Sequence, residues 1–222
     1  AQNNFGEQAS SQATLDEIIV TAQKREQNLQ DTPLAVTAIT GDMLQARGID
    51  SGQDLQLVVP GLTIVNSDVS TPKVTIRGVG TDNIFIGGDP GVPIHVDGHY
   101  IQDASYVLRD LLDVERVEVL RGPQGTLYGR NAAGGSINII TKRPTESFEG
   151  SLSADVGNYD KRLLQSVISG PFTDKLRGRL AIADEDRDGY VENLSGADID
   201  SSNYTSIRAM LEYDLTEDIQ LT

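Results

Sequence analysis

The chain contains no cysteine, which excludes a disulfide framework, a thiolate metal site and a cysteine nucleophile. Positive charge is scarce as well: 18 Lys and Arg stand against 33 Asp and Glu, a formal net charge of -15 that repels phosphate backbones. No basic stripe interleaved with aromatics offsets that balance, so nucleic acid and other anionic partners are disfavoured. Long apolar runs are missing, and the longest are far short of the ~20 residues a membrane-spanning helix needs. No cationic segment or apolar stretch of a secretory signal opens the sequence, and a start at Ala1-Gln2-Asn3-Asn4 suits a chain after signal cleavage. The glycine-punctuated stretch 122–129 lacks the Gly-Lys-Ser/Thr of a phosphate loop, and there is no Gly-x-Ser-x-Gly elbow. No catalytic constellation, cofactor site or metal site is expected. What is present, 222 residues with 38% hydrophobic content, 22 glycines and 8 prolines, suffices for one ordinary core with many turns.

Residues 1–14 are small or polar apart from Phe5 and cannot bury enough surface to order themselves, so 1–15 reads as a flexible tail. The β-branched cluster Asp16-Glu17-Ile18-Ile19-Val20-Thr21-Ala22 follows, strand-competent but isolated before the charged run Lys24-Arg25-Glu26. It is either an edge strand of the next domain or a strand held in reserve for a partner. Beyond it, short strands and short helices mix. A strand is expected over 34–39, and Thr40 can cap a helix ending near Gly48. Ser51 and Asp54 have capping-box spacing before a second short helix ended by Pro60-Gly61. Short strands over 62–65 and 73–76 precede a glycine-rich loop, 78–93. Asp97-Gly98 between apolar-rich arms predicts a tight hairpin. A helix is expected over 108–114, then alternating strands over 115–121 and 136–141 joined by a glycine-punctuated connector.

From residue 149 only long alternating segments remain. Leu152, Ala154 and Val156 alternate with Ser151, Ser153 and Asp155, and the same pattern returns through 163–169, 179–183 and 206–213. Strands near the ~9–11 residues that cross a bilayer at a tilt, apolar on one face and polar on the other, predict a membrane β-barrel wall. The alternative is a soluble antiparallel sheet. Turns at 158–161, 170–175 and 214–218 are short, whereas 184–203 reads as a long acidic loop, an asymmetry that favours the barrel. A fifth strand opens at Ile219, and five strands cannot close a barrel, so the sequence is expected to be incomplete.

Two clusters imitate metal sites. Asp184-Glu185-Asp186-Arg187-Asp188-Gly189 matches the front of a calcium loop but has Ser195 where a bidentate Glu is required. His95 and His99 flank Asp97, yet a tight turn at Asp97-Gly98 puts the two imidazoles on opposite faces of the hairpin.

The segments 55–62 with Pro60-Gly61, 74–80 (VTIRGVG) and 93–98 (PIHVDG) occur in order. So do 114–129 (VERVEVLRGPQGTLYG) and the continuation 131–142 (NAAGGSINIITK). In this the chain resembles the TonB-dependent outer-membrane receptors from Asp16 onward. The resemblance implies an α+β plug domain followed by the start of an antiparallel transmembrane β-barrel, of roughly 22 strands when complete. It places the TonB box at 16–22, the plug at 23–145 and the first barrel strands at 146–222. It also implies active import of a nutrient across the outer membrane of a Gram-negative bacterium. The wall would lie in outer-membrane lipid, and the box would face the periplasm, where TonB and its inner-membrane energising complex grip it. A ferric siderophore is the family's default cargo; cobalamin, haem and oligosaccharides are alternatives. An adhesion or structural module without energy coupling is the rival reading. On this plan 79–91 and 99–107 form outward tips, with Asp82, Asn83, Phe85, Tyr100, Gln102 and Tyr106 as first contacts to cargo, or else packed against the wall. Arg77, Arg116, Arg121 and Arg130 are expected to form plug-to-barrel ion pairs.

Overall fold

A computed structural model of the chain describes residues 18–22, 24–25, 27–67, 70–81, 89–129, 131–194, 196, 198–216 and 219–222. Asp16, Glu17, Asp82, Asn83, Phe85, Arg130 and the 1–15 segment lie outside the described residues.

The chain starts as a two-residue hairpin, β1 (Ile19–Val20) against β2 (Gln27–Asn28), followed by the 3-10 turn Leu29–Asp31. Strand β3 (Val36–Thr40) leads into helix α1 (Gly41–Ala46), where Thr40 Oγ1 accepts from Met43 N as the anticipated cap. At the second helix start, the Ser51 N–H and hydroxyl both donate to Asp54 Oδ2, and the segment Gly52–Leu57 winds as a 3-10 helix. A hairpin of β4 (Leu62–Ser67) and β5 (Ser70–Ile76) comes next, then the short pair β6 (Ile94–Val96) and β7 (His99–Ile101). Asp97 (φ 48°) and Gly98 (φ 80°) both sit at positive φ, as a type I′ turn demands, so His95 faces Tyr100 and His99 faces Val96. The two histidines therefore lie on opposite faces, and among the described residues no group of three metal-ligating side chains gathers.

The expected helix over 108–114 is displaced. Helix α2 is Ala104–Arg109, capped by Asp103 accepting from Ser105 N, and the backbone is extended at Asp110 before a turn at Leu112 and Asp113. The reason is packing: Leu111 enters the plug core while Leu112 joins Leu163, Ala181 and Ala183 on the wall. Side chains one residue apart that must point to opposite sides need extended backbone. Strand β8 (Val114–Arg121), the unanticipated short helix α3 (Gly125–Tyr128) and β9 (Gly135–Thr141) complete the plug. Gly135 has φ 148°, and a Cβ there would lie 2.0 Å from Leu120 O, so no other residue lets β8 and β9 approach so closely.

The plug sheet has the order β3-β8-β9-β6-β7, parallel only between β6 and β9. One face carries Ile39, Val117, Val119, Ile137 and Ile139 into the main core with Leu44, Leu55, Ile76 and Leu108, each worth about 1.5–3 kcal/mol of burial. The other face carries the cross-strand row Ala38, Glu118, Asn138, His95 and Tyr100. That face is polar, yet most of it is buried.

The remainder is an up-and-down antiparallel sheet: β10 (Glu149–Val156), β11 (Arg162–Thr173), β12 (Leu176–Arg187), β13 (Ser202–Thr216) and β14 (Ile219–Leu221). Leu152, Val156, Ile207 and Leu211 are exposed on its outer face, while Leu163, Ala181, Ala183, Arg179 and Glu185 on the inner face are buried against the plug. Apolar outside and polar inside is the inverse of a soluble sheet and suits lipid. Strand β12 runs four residues further than expected, so Asp184 to Asp186 belong to a strand, with Thr205 Oγ1 donating to Asp184 and Asn203 Nδ2 to Asp186. The long loop is thus 188–201. It shares an end of the sheet with the short turn 157–161, so that turn does not lie with the other short turns, contrary to the expected asymmetry.

Candidate functional site

Two regions combine charged side chains, burial and accessible backbone: the underside of the plug sheet, and the seam between plug and wall.

On the underside, the 18–22 segment is not the isolated strand that its sequence suggested. Val20 and Ala22 are buried against Leu120, and Leu29, Leu34, Val36 and Tyr128 pack around them. The Thr21 N–H donates to Glu118 Oε1 at 2.7 Å, and its hydroxyl to the same oxygen at 3.1 Å. Arg116 Nε donates to that oxygen too, at 2.9 Å. Glu118 is fully buried, and its Oε2 has no hydrogen-bond partner among the described residues. A buried carboxylate is costly unless its charge is matched, and Arg116 matches it. Alongside, Tyr128 OH donates to Ala22 O at 3.0 Å and accepts from Asn138 Nδ2 at 2.7 Å. Ser136 Oγ donates to Asn138 Oδ1 and lies 3.2 Å from His95 Nδ1. Burial pushes the His95 pKa down, helped by the charge of Lys24, whose Nζ lies over the Tyr128 ring.

This network bears on two expectations. Arg116 pairs with Glu115 and Glu118 of its own strand, because its side chain lies on the covered underside and not toward the wall. Tyr100 belongs to the same face, its ring 5.9 Å from that of His95, which in turn touches Tyr128. It therefore shares the sheet face covered by the 18–22 segment. Arg77 is exposed and makes no ion pair among the described residues; Arg121 Nε is buried without a hydrogen-bond partner among them.

One ion pair joining plug to wall has a plug cation, Arg143 Nη1 on Glu212 Oε2 at 3.2 Å, and the others have the reverse polarity, with wall cations on plug carboxylates. Arg179 Nε and Nη2 grip Asp113 at 2.6 Å each, with both side chains buried, and Arg179 Nη1 reaches Glu149 at 2.7 Å. Arg208 donates to Leu112 O, and Lys161 Nζ meets Asp50 Oδ2 at 2.9 Å. Burial alone would lower the Lys161 pKa, but Asp50, Glu185 and Asp155 outweigh it and hold it above its ordinary value. Asp110 is displaced upward by burial, against the pull of Ser206 and Arg208. The 110–113 segment is thus a fixture of the plug on these wall strands. None of these carboxylates stood out in the sequence, since nothing local distinguishes an Asp that meets an arginine 66 residues later.

Above Asp50 a cleft of about 510 Å³ lies between plug and wall, lined by Asp54, Ser105 and Arg109 on one side and by Lys161, Glu185 and Tyr190 on the other. Tyr106 is 70% exposed beside it, and Arg109 stands between the Tyr106 and Tyr204 rings. Gln102 is exposed just before α2.

A family model described as the TonB-dependent receptor plug domain matches residues 28–136. The pesticin receptor of Yersinia pestis is 34% identical over 75% of this chain and 25% of its own length. The ferripyoverdine receptor of Pseudomonas aeruginosa is 30% identical over 92% of this chain and 24% of its own length. The crystal structure of the ferric yersiniabactin uptake receptor of Yersinia pestis superposes with a TM-score of 0.74 at 31% identity, covering 81% of this chain and 29% of that one. The Pseudomonas aeruginosa receptor FpvA, bound to a heterologous ferric pyoverdine, shares the fold with a TM-score of 0.75 at 24% identity, over 91% and 26% of the two chains. The chain spans about a quarter of the length of the curated relatives it matches.

Proposed function

Because the chain belongs to the TonB-dependent outer-membrane receptors and carries their plug domain, we propose that it is the gating part of a receptor that imports a ferric siderophore. The relatives named for ferric pyoverdine and ferric yersiniabactin support that cargo class. Import is driven by the TonB complex through segment 16–22. First contacts to cargo come from the exposed Tyr106 and Gln102 beside the outer cleft, Asp82, Asn83 and Phe85 remain candidates for the same role, and Arg77, Arg121 and Arg130 remain candidates for ion pairs to further wall strands.

The observation that carries this reading is the way the 18–22 segment is held. Its strand is two residues long and, among the described residues, pairs with β2 alone. Its ties to the sheet are the Thr21 and Ala22 hydrogen bonds and two small buried side chains. At about 1 kcal/mol net for each hydrogen bond, such an attachment holds at rest and yields to a partner that offers a full strand edge. Main-chain pairing with that partner restores the lost bonds and directs a pull along the strand.

The test is Ile19→Pro in the full-length receptor. Proline removes the N–H and fixes φ, so pairing with a partner strand fails, while the outer cleft on the opposite side of the sheet is untouched. Equilibrium binding of the ferric chelate should stay at the wild-type value and uptake should be lost. Uptake at the wild-type rate would reject energy coupling through this segment and favour a module without it.

A further inference from the structure

A second cavity, of about 490 Å³, lies deeper along the same seam, and Asp50 lines both it and the outer cleft. Each has the volume of an ordinary small-molecule site. Both have the plug on one side and wall strands on the other. On the wall side of the inner cavity stand short polar residues, Ser151, Ser153 and Gln165, opposite α1 on the plug. One strand further round, the seam is shut: Leu112 packs on Leu163, Ala181 and Ala183, and Arg179 grips Asp113. Among the wall strands of this chain, the inner chamber is therefore bounded by β10 and β11, while the outer cleft extends to β12. Between its two chambers stands the Lys161–Asp50 pair.

We propose that this seam is the route by which a compact polar metal chelate passes the plug, and that the Lys161–Asp50 pair is its gate. The proposal rests on the transport reading above and specifies its path. The pair suits a gate because both side chains are partly solvated, 26% and 33% exposed, so that its hold is slight. Opening also strands no charge. Asp155, which lines the inner chamber, and Glu185, which lines the outer cleft, both act on the Lys161 charge and can receive it when Asp50 withdraws. The serine hydroxyls and the Gln165 amide beyond the gate offer hydrogen bonds in place of water to a polar cargo, beside the apolar Val167 of the same wall.

This chain has no cysteine of its own, so single cysteines report on the route directly. In the full-length receptor in intact cells, with any cysteine outside this chain replaced by serine, Ser153→Cys faces the inner chamber and Ile207→Cys, on the exposed outer face of β13, faces lipid. A membrane-impermeant methanethiosulfonate reagent added outside should modify the first and spare the second. Adding Lys161→Met should raise the Ser153→Cys rate about tenfold, and Lys161→Arg, which keeps the pair, should leave it near the starting value. Ser153→Trp, which fills the chamber, should cut uptake of radiolabelled iron about tenfold under iron limitation with surface binding unchanged, whereas Ile207→Trp on the outer face should not. A Ser153→Cys rate indifferent to Lys161→Met, or undiminished uptake in Ser153→Trp, overturns the route. Thiol access does not depend on energy coupling, so failure of the route and failure of the transport reading are told apart by Ile19→Pro.

Discussion

Glu118 concentrates three donors on one oxygen: the Thr21 N–H, the Thr21 hydroxyl and Arg116 Nε. Its removal leaves a buried N–H and a partly matched guanidinium, at about 1–3 kcal/mol for the lost hydrogen bonds. Glu118→Ala should accordingly raise the thiol-labelling rate of an Ile19→Cys reporter about tenfold or more, and Glu118→Gln, which still accepts, should raise it less. An unchanged rate would show that apolar burial of Val20 and Ala22 alone holds the segment. His95 adds a pH term. It faces the Ser136 hydroxyl, the Tyr100 and Tyr128 rings and the charge of Lys24, and its pKa lies below the ordinary 6.5. The unfolded state therefore binds the proton first, so the stabilisation is full above 6.5 and declines as pH falls from there through the lower folded value. Melting temperature should drop between about pH 7.5 and 5.5, and His95→Gln should flatten that part of the profile.

At the scale of elements, the 110–113 segment and the 18–22 segment sit at opposite ends of one mechanical line. Strand β8 leaves the wall fixture at Asp113 and carries, five residues on, the carboxylate that holds Thr21. The fixture has the stronger chemistry, a buried bidentate pair with side chains 4% and 6% exposed, against a few shared hydrogen bonds at the other end. Pulling on the N-terminal segment should hence free it long before the fixture gives way. Asp113→Asn keeps the residue's tolerance for its positive φ of 53° but removes the charge. Since Glu149 still pairs with Arg179, the cost should fall at the low end of the ~3–5 kcal/mol typical of a broken buried pair. Thermal melting of the detergent-solubilised receptor measures it, and combining it with Arg179→Met should recover part of the loss. Additive losses would mean that the two side chains are not coupled.

At the scale of the molecule, the two sheets depend on each other unequally. The plug sheet has a core of its own, whereas the wall sheet buries little beyond the contacts of its inner face with the plug. Leu152, Val156, Ile207 and Leu211 turn outward at 73%, 86%, 68% and 60% exposure, and β10 and β14 are sheet edges. Residues 146–222 expressed alone in water should therefore aggregate or stay unfolded. A monomeric, cooperatively melting fragment in size-exclusion chromatography and calorimetry would sink the membrane-wall reading and restore the soluble sheet.

Much of this was legible in the chain itself, wherever the determining physics is local. The alternation from 149 onward, the Asp97-Gly98 turn, the Thr40 cap and the ordered plug motifs each depend on neighbours within a few residues, so they identified the elements, their faces and the family. What the sequence could not determine was partnership across distance. Nothing local told that Arg116 would turn to Glu118 and not to the wall, that Tyr100 would share a face with Ala38 through five strands, or that Thr21 would find a carboxylate 97 residues later. An alternating strand shows that its side chains divide between two faces, but which face is covered, and by what, is decided only when the sheet is assembled. The β-branched run at 18–22 determined that a strand would form; only the tertiary structure decided that it would be stored against a buried charge.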